Sequence, residues 1–185
     1  GLACGGGQQM PLFAAAGAVF TVLDYSVRQL ESERMVSERE GYPIDIVRAD
    51  MSKPLPFASA SFDIIVHPVS NCYIREVEPL WRECFRVLKP GGVLLAGLDN
   101  GINYIFDNEE TELKHSLPFD PLNDPALMEE LQKTDDGVQF SHTFEEQVGG
   151  QLKAGFVLTH LFEDVNGYGR LHEMNIPTFV ATRAV

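Results

Sequence analysis

The first residues of this 185-residue chain whose types and spacing suggest chemistry are Gly5-Gly6-Gly7, followed by Gln8-Gln9-Met10-Pro11-Leu12-Phe13-Ala14. The second run reads as a helix, so the glycines occupy a turn where a strand hands over to a helix. Glycines permit positive φ and let a ligand approach the backbone, and the helix start offers free N–H groups and a positive dipole end. Asp24 lies 24 − 7 = 17 residues past the last glycine, near the roughly 20-residue offset at which a carboxylate accepts hydrogen bonds from ribose hydroxyls. The alternative for Asp24 is a helix cap, a role Ser26 could fill instead. Asp50-Met51 repeats the arrangement one strand later, pairing a carboxylate that can accept from an exocyclic amine with a thioether that can lie on an aromatic ring. Together these groups suit an adenosine. A nicotinamide fingerprint fits less well, because Met10 stands where G-x-G-x-x-G requires a residue without a side chain.

These residues need elements to position them. Val19–Val22 reads as a strand ending at Leu23-Asp24. A helix follows from Ser26 to about Arg39, with Val27, Leu30 and Arg34 on successive turns, and stops before Gly41. Ile44–Val47 is a strand ending near Ala49-Asp50, and MSKPLPFASAS is a loop. Phe62–Val66 is a continuous apolar run suited to a strand buried on both faces, and Glu76–Leu88 is an amphipathic helix with Leu80, Trp81, Cys84, Phe85, Val87 and Leu88 inward. VLLAGL follows the Lys89-Pro90-Gly91-Gly92 stop as another strand. About 100–140 changes character, with the acidic runs DNEETE and EELQKTDD, and reads as an insertion or lid. Thr143–Ala154 then reads as a helix with Phe144, Val148 and Leu152 on one face, and Phe156–Phe162 and Pro177–Ala184 as two closing strands. The expected fold is α/β: one domain with a doubly wound, mostly parallel sheet and an antiparallel closing strand.

Composition narrows the function. Twenty-seven acidic against fourteen basic side chains give a formal net charge of −13, which repels nucleic-acid backbones and anionic lipid. Three cysteines without metal-ligand spacing suit free thiols in a reducing compartment, with the cytosol as default. Five scattered histidines without a paired spacing predict no metal site; His115 and His142 read as surface residues of the insertion.

GLACGGG, VLDYS, the pair Asp50-Met51, PLPFASASFDIIV and FRVLKPGGVLLAG, in this order and at these distances, resemble the class I S-adenosylmethionine-dependent methyltransferases, in particular the methyltransferase type 11 group. The resemblance covers about residues 1–98. It implies a Rossmann-like sheet, S-adenosylmethionine as cofactor, a small-molecule methyl acceptor, and cofactor contacts from Ala3, Cys4, Gly5, Gly7, Asp24, Tyr25, Asp50, Met51 and His67. Cys4 is expected for its small size rather than as a nucleophile. The family's loop begins with an acid, D-x-G-x-G-x-G, but here Gly1 holds the acid's place and Ala3 that of the first glycine. A non-catalytic cofactor binder, or an NAD-dependent oxidoreductase, is the alternative. Nearly all of the family's first, central strand is also missing, which leads to the expectation that an upstream segment, or another chain, supplies it.

Methyl transfer is an in-line displacement that asks mainly for alignment and exclusion of water. Open α/β sheets bind ligands beyond the carboxyl ends of their strands, so acceptor-side candidates are His67, as a base or a backbone contact, with Asn71 and Tyr73 after the same strand. Asp99, Asn100 and Tyr104 are the candidates after the next one.

Overall fold

The computed structural model describes residues 1–131, 133 and 137–185; part of the second acidic run lies outside them. Six strands form among the described residues: β1 Thr21–Asp24, β2 Asp45–Arg48, β3 Phe62–Pro68, β4 Leu88–Asp99, β5 Leu158–Val165 and β6 Pro177–Ala184. β1 and β2 pair in parallel, as do β3 and β4, while β6 runs antiparallel between β4 and the edge strand β5. Gly1-Leu2-Ala3 joins the two halves. Leu2 N–H donates to the Val66 carbonyl at 2.8 Å on one side, and on the other Leu23 N–H donates to Gly1 and Ala3 N–H to Leu23, at 2.9 and 2.7 Å. These three residues hold the central position of a mixed sheet ordered β2, β1, stub, β3, β4, β6, β5. In line with the stub, an apolar groove is lined by Thr21, Leu55, Phe57, Phe62, Ile64 and Val87, among others.

The helices are α1 Met10–Ala15, α2 Val27–Glu40, α3 Glu78–Val87, and the short α4 Ile102–Ile105, α5 Pro125–Leu131, α6 Gly150–Ala154 and α7 Arg170–Glu173. Ser26 caps α2 by accepting from Gln29 N–H, and Gly41, left-handed at φ 75°, ends it. α3 forms as its pattern predicts, with Leu80, Trp81, Cys84 and Val87 buried among Ile65, Leu94, Ala96 and Leu98 of the sheet. Phe85 is the exception; it is half-exposed, its ring edge-on to Phe156 at 5.1 Å.

Other expectations shift. The first strand begins at Thr21, leaving Val19 solvent-exposed, and the penultimate one at Leu158. On α2 the inward stripe is Leu30, Glu33 and Val36, while Val27 and Arg34 face out. Residues 145–154 form a π-helical turn, Glu145–Gly149, running into α6, and Phe144 and Leu152 are exposed. Gln147 and Gln151 are buried instead. The Gln147 amide donates to the Asp99 and His142 carbonyls at 2.7 and 3.1 Å and accepts from Asn71 at 2.9 Å. Gln151 accepts from Thr182 at 3.0 Å. For Gln147 these bonds offset the cost of burying the amide, whereas Gln151 Nε2 has no hydrogen-bond partner. His142 is buried, not superficial, and its Nε2 lies 2.9 Å from the Ile74 carbonyl.

The insertion packs back onto the turn after β3. Phe140 N–H donates to the Cys72 carbonyl, Ser141 N–H to that of Phe119, and Arg75 makes a two-nitrogen contact with Asp120 at 2.9 and 2.6 Å.

Candidate active site

Parallel strands place the residues that follow them along one edge of the sheet, and a cleft with a volume of about 1080 Å³ opens there. Small-ligand pockets run to about 300–1,000 Å³, so there is room for a cofactor and a second molecule. From one side to the other its wall comes from Asp50 and Met51 after β2, Asp24 and Tyr25 after β1, Ala3, Cys4 and Gly5 after the stub, and Val69, Ser70, Tyr73 and Arg75 after β3. Both acids therefore face a common crevice. Asp24 Oδ1 accepts from Ser26 N–H and Asp50 Oδ1 from Ser52 N–H, each at 2.8 Å, bonds that orient each carboxylate by its own turn. Burial pushes the Asp24 carboxyl above the ordinary aspartate value, against the Ser26 and Tyr25 N–H groups. Asp50 is held below it, chiefly by the Ser52 hydroxyl. Tyr25 is largely exposed, with the Arg48 guanidinium 5.6 Å from its ring centre.

The glycines divide their work. A Cβ on Gly5, at φ 76°, would meet nothing within 4 Å, so this is the position where the backbone is open to a ligand. Gly7 is absent from the cleft wall. Its φ of 82° and a Cβ that would stand 2.6 Å from Val36 Cγ2 make it a packing glycine against α2. Met10, 1% exposed, fills the position that disfavoured a nicotinamide loop and packs with Cys4, Val22 and Leu30.

Several candidates lie off the cleft. His67 is fully buried; its Nδ1 is 2.8 Å from the Leu2 carbonyl and its ring stands edge-on to Trp81. Burial, partly opposed by that carbonyl contact, pushes its pKa down to about 4. It is a neutral core histidine that ties the central stub to β3, not a base at the cleft. Asn71, Asp99, Asn100 and Tyr104 are likewise outside the wall. Asn71 serves Gln147, Asp99 accepts from Asn103 and Gly101 N–H, Asn100 donates to the Pro177 carbonyl, and Tyr104 donates to Gln139 and stacks on Phe119. The insertion occupies the space these residues were expected to open on. Tyr73 does line the cleft, half-exposed, beside Gly137.

Sequence reasoning missed Gln8, Gln9, Gln29, Arg75 and Pro79 in the wall, whereas Val69 and Ser70 lie in the stretch from His67 to Tyr73 where the acceptor side was expected. Val69 carries a structural signal: a β-branched residue at φ 48°, ψ 17°, a conformation such residues rarely adopt. Its N–H donates to the Gly97 carbonyl at 2.9 Å, and a Cβ on Gly97 would stand 3.0 Å from Val69 Cγ2. The missing side chain on β4 is what admits this turn.

Residues 1–96 match the family described as "Methyltransferase domain". A Bacillus subtilis (strain 168) protein, "Uncharacterized methyltransferase YbaJ", is 42% identical over 191 residues, spanning 100% of this chain and 74% of its own length. The chain belongs to this family. This methyltransferase shares its fold with an S-adenosylmethionine-dependent methyltransferase from Mesorhizobium loti, at TM-score 0.73, 21% identity and coverage of 99% of this chain and 88% of that one. A second such structure, from Listeria monocytogenes, superposes at TM-score 0.73 with 16% identity, covering 99% and 87%. The cofactor of this methyltransferase is S-adenosylmethionine, and the cleft fits it: two carboxylates, a thioether and an open glycine backbone converge there. No helix among the described residues is long and apolar enough to cross a membrane.

The buried His67 sets a pH dependence. A histidine near 6.5 when unfolded and about 4 when folded binds more protons in the unfolded state between those values, so stability is lost as pH falls through that window. The loss is about 3 kcal/mol at its limit, at about 1.4 kcal/mol per unit. Thermal melts from pH 7 to 4 are expected to fall steeply in the wild type and less steeply in His67→Asn; equal slopes would refute this source.

Proposed function

We propose that this methyltransferase transfers a methyl group to a small-molecule acceptor held in the cleft between the Asp24–Asp50 side and the Val69–Arg75 turn. Support comes from one observation: Asp24, Asp50, Gly5 and Tyr73, from four separate stretches of chain, line a single cleft with room for two ligands. In this reading Asp24 accepts from the ribose hydroxyls, Asp50 from the adenine side, Met51 packs on the base, and Gly5 lets the cofactor lie against the loop backbone. When bound, S-adenosylmethionine supplies a methyl on a sulfonium sulfur, already an excellent leaving group.

The chain's own work is then alignment, with Tyr73 and the turn at Val69 and Ser70 orienting the acceptor for in-line attack, and the insertion excluding water by packing on that turn. His67, sealed in the core against the Leu2 carbonyl, is not placed to act as a base on the acceptor. The net charge of −13 supports a small acceptor over a nucleic acid. Incubation with methyl-labelled S-adenosylmethionine and panels of small thiols, amines and hydroxy compounds, beside protein and RNA, tests the reading. Label is expected in a small molecule, and label confined to protein or RNA would overturn it.

A further inference from the structure

Glu33 is a fully buried carboxylate that the cleft does not use. It lies on the face of α2 beneath the glycine loop, and its neighbours on that helix are the groups the loop touches. A Cβ on Gly6 would stand 2.6 Å from Ser32 Cβ and 2.7 Å from Gln29 Oε1, and one on Gly7 2.6 Å from Val36 Cγ2. Between these contacts Glu33 meets the loop itself. Its Oε1 is 3.9 Å from Cys4 Sγ, Oε2 has no hydrogen-bond partner, and the nearby Gly7 N–H favours the charged carboxylate. A buried acid with an unsatisfied oxygen costs stability. Residues 1–7 contain no acid.

We propose that Glu33 is a positioning residue for the cofactor: from α2, its carboxylate holds the Cys4–Gly7 loop in the shape that receives S-adenosylmethionine. This rests on the placement of the cofactor in the cleft lined by Asp24 and Asp50. With Gly7 packed against Val36 and Cys4 against Glu33, the open backbone at Gly5 is the ligand-facing part of the loop. The titratable groups around Glu33 are Cys4 and Asp24, with the Tyr42 phenol, whose own titration burial and Glu33 raise. Burial pushes Glu33 above the ordinary glutamate value, against Gly7 N–H.

The test combines amide NMR with calorimetric titration of S-adenosylhomocysteine on the wild type and Glu33→Gln. In the wild type the Gly7 amide proton is expected to move as pH falls through the elevated Glu33 titration. In Glu33→Gln that movement disappears, while the Ser26 amide, which reports on Asp24, still titrates. Binding of S-adenosylhomocysteine to Glu33→Gln is expected to weaken about tenfold, with the melting temperature within a few degrees of the wild type. A Gly7 amide insensitive to pH in the wild type would overturn the proposal even if the variant failed to fold. So would a variant that binds as tightly as the wild type. A wild type that binds no S-adenosylhomocysteine, with Gly7 still titrating, would instead remove the cofactor placement and the proposal's purpose with it.

Discussion

Asp24→Ala is expected to weaken S-adenosylhomocysteine binding by about 10- to 100-fold, since a hydrogen bond to a charged group contributes about 1.5–3 kcal/mol and each 1.4 kcal/mol is tenfold. Asp24 ends β1 within the cleft wall and is half-buried beside Leu23. Its charged form is already disfavoured by burial, so the carboxylate carries a desolvation cost that a ligand donor relieves. Affinity should accordingly fall as pH drops through the elevated Asp24 titration, because protonation replaces an acceptor with a donor. The unliganded protein should behave otherwise. A carboxyl raised in the folded state makes the unfolded chain the better acid, so its stability contribution rises on acidification. Asp45→Ala, an exposed acid of β2 outside the cleft, is the control and should bind normally. Isothermal titration at pH 7.5 decides; Asp24→Ala binding as the wild type would exclude the ribose role.

The largest loss of stability is expected from Trp81→Ala. The indole is fully buried between α3 and the sheet, its Nε1 donates to the Glu146 carbonyl at 3.1 Å, and Gly150 lies so close that a Cβ there would stand 2.7 Å from Trp81 Cδ1. Removing the ring leaves a cavity against His67 and an unpaired carbonyl, costing about 3–5 kcal/mol. At about 2–4 °C per kcal/mol for a domain of this size, the melting temperature should drop by about 6–20 °C. Trp81→Phe, which keeps most of the volume and loses the N–H, should lose about 1–2 kcal/mol. Calorimetry checks both, and a Trp81→Ala protein melting within 2–3 °C of the wild type would contradict the packing described.

Sequence carried the strands and the cofactor side of the cleft because both follow from local rules. Val22, Leu23, Ile65 and Leu94 are apolar where strands are buried, and an acid ending a parallel strand must sit at the sheet's carboxyl edge. Polarity could not be read the same way after β3 and β4. His67, Asn71 and Asp99 have the residue types of a site, but types do not say whether a partner is a ligand or another buried group. Here the partners are Leu2 and Gln147, 65 and 76 residues away, and Asn103, 4 residues away. The 145–154 helix misled for the same reason: Phe144, Val148 and Leu152 keep a helical spacing, yet Gln147, with three hydrogen bonds inside, and Gln151, bonded to Thr182 through its oxygen alone, take the inward face. On α2, Glu33 inside and Arg34 outside turned the stripe away from the one apolar spacing predicts. In the insertion, two acids close local structure, Asp107 accepting from Thr111 and Glu112 N–H and Asp120 bridging to Arg75.

The central claim is that Asp24 and Asp50 grip one adenosine in the cleft beside Gly5. A crystal structure with S-adenosylhomocysteine bound tests it most directly. The ribose hydroxyls should lie within hydrogen-bond distance of Asp24 and the base should lie between Asp50 and Met51. An adenosine seated elsewhere, with either carboxylate left facing solvent, would contradict it.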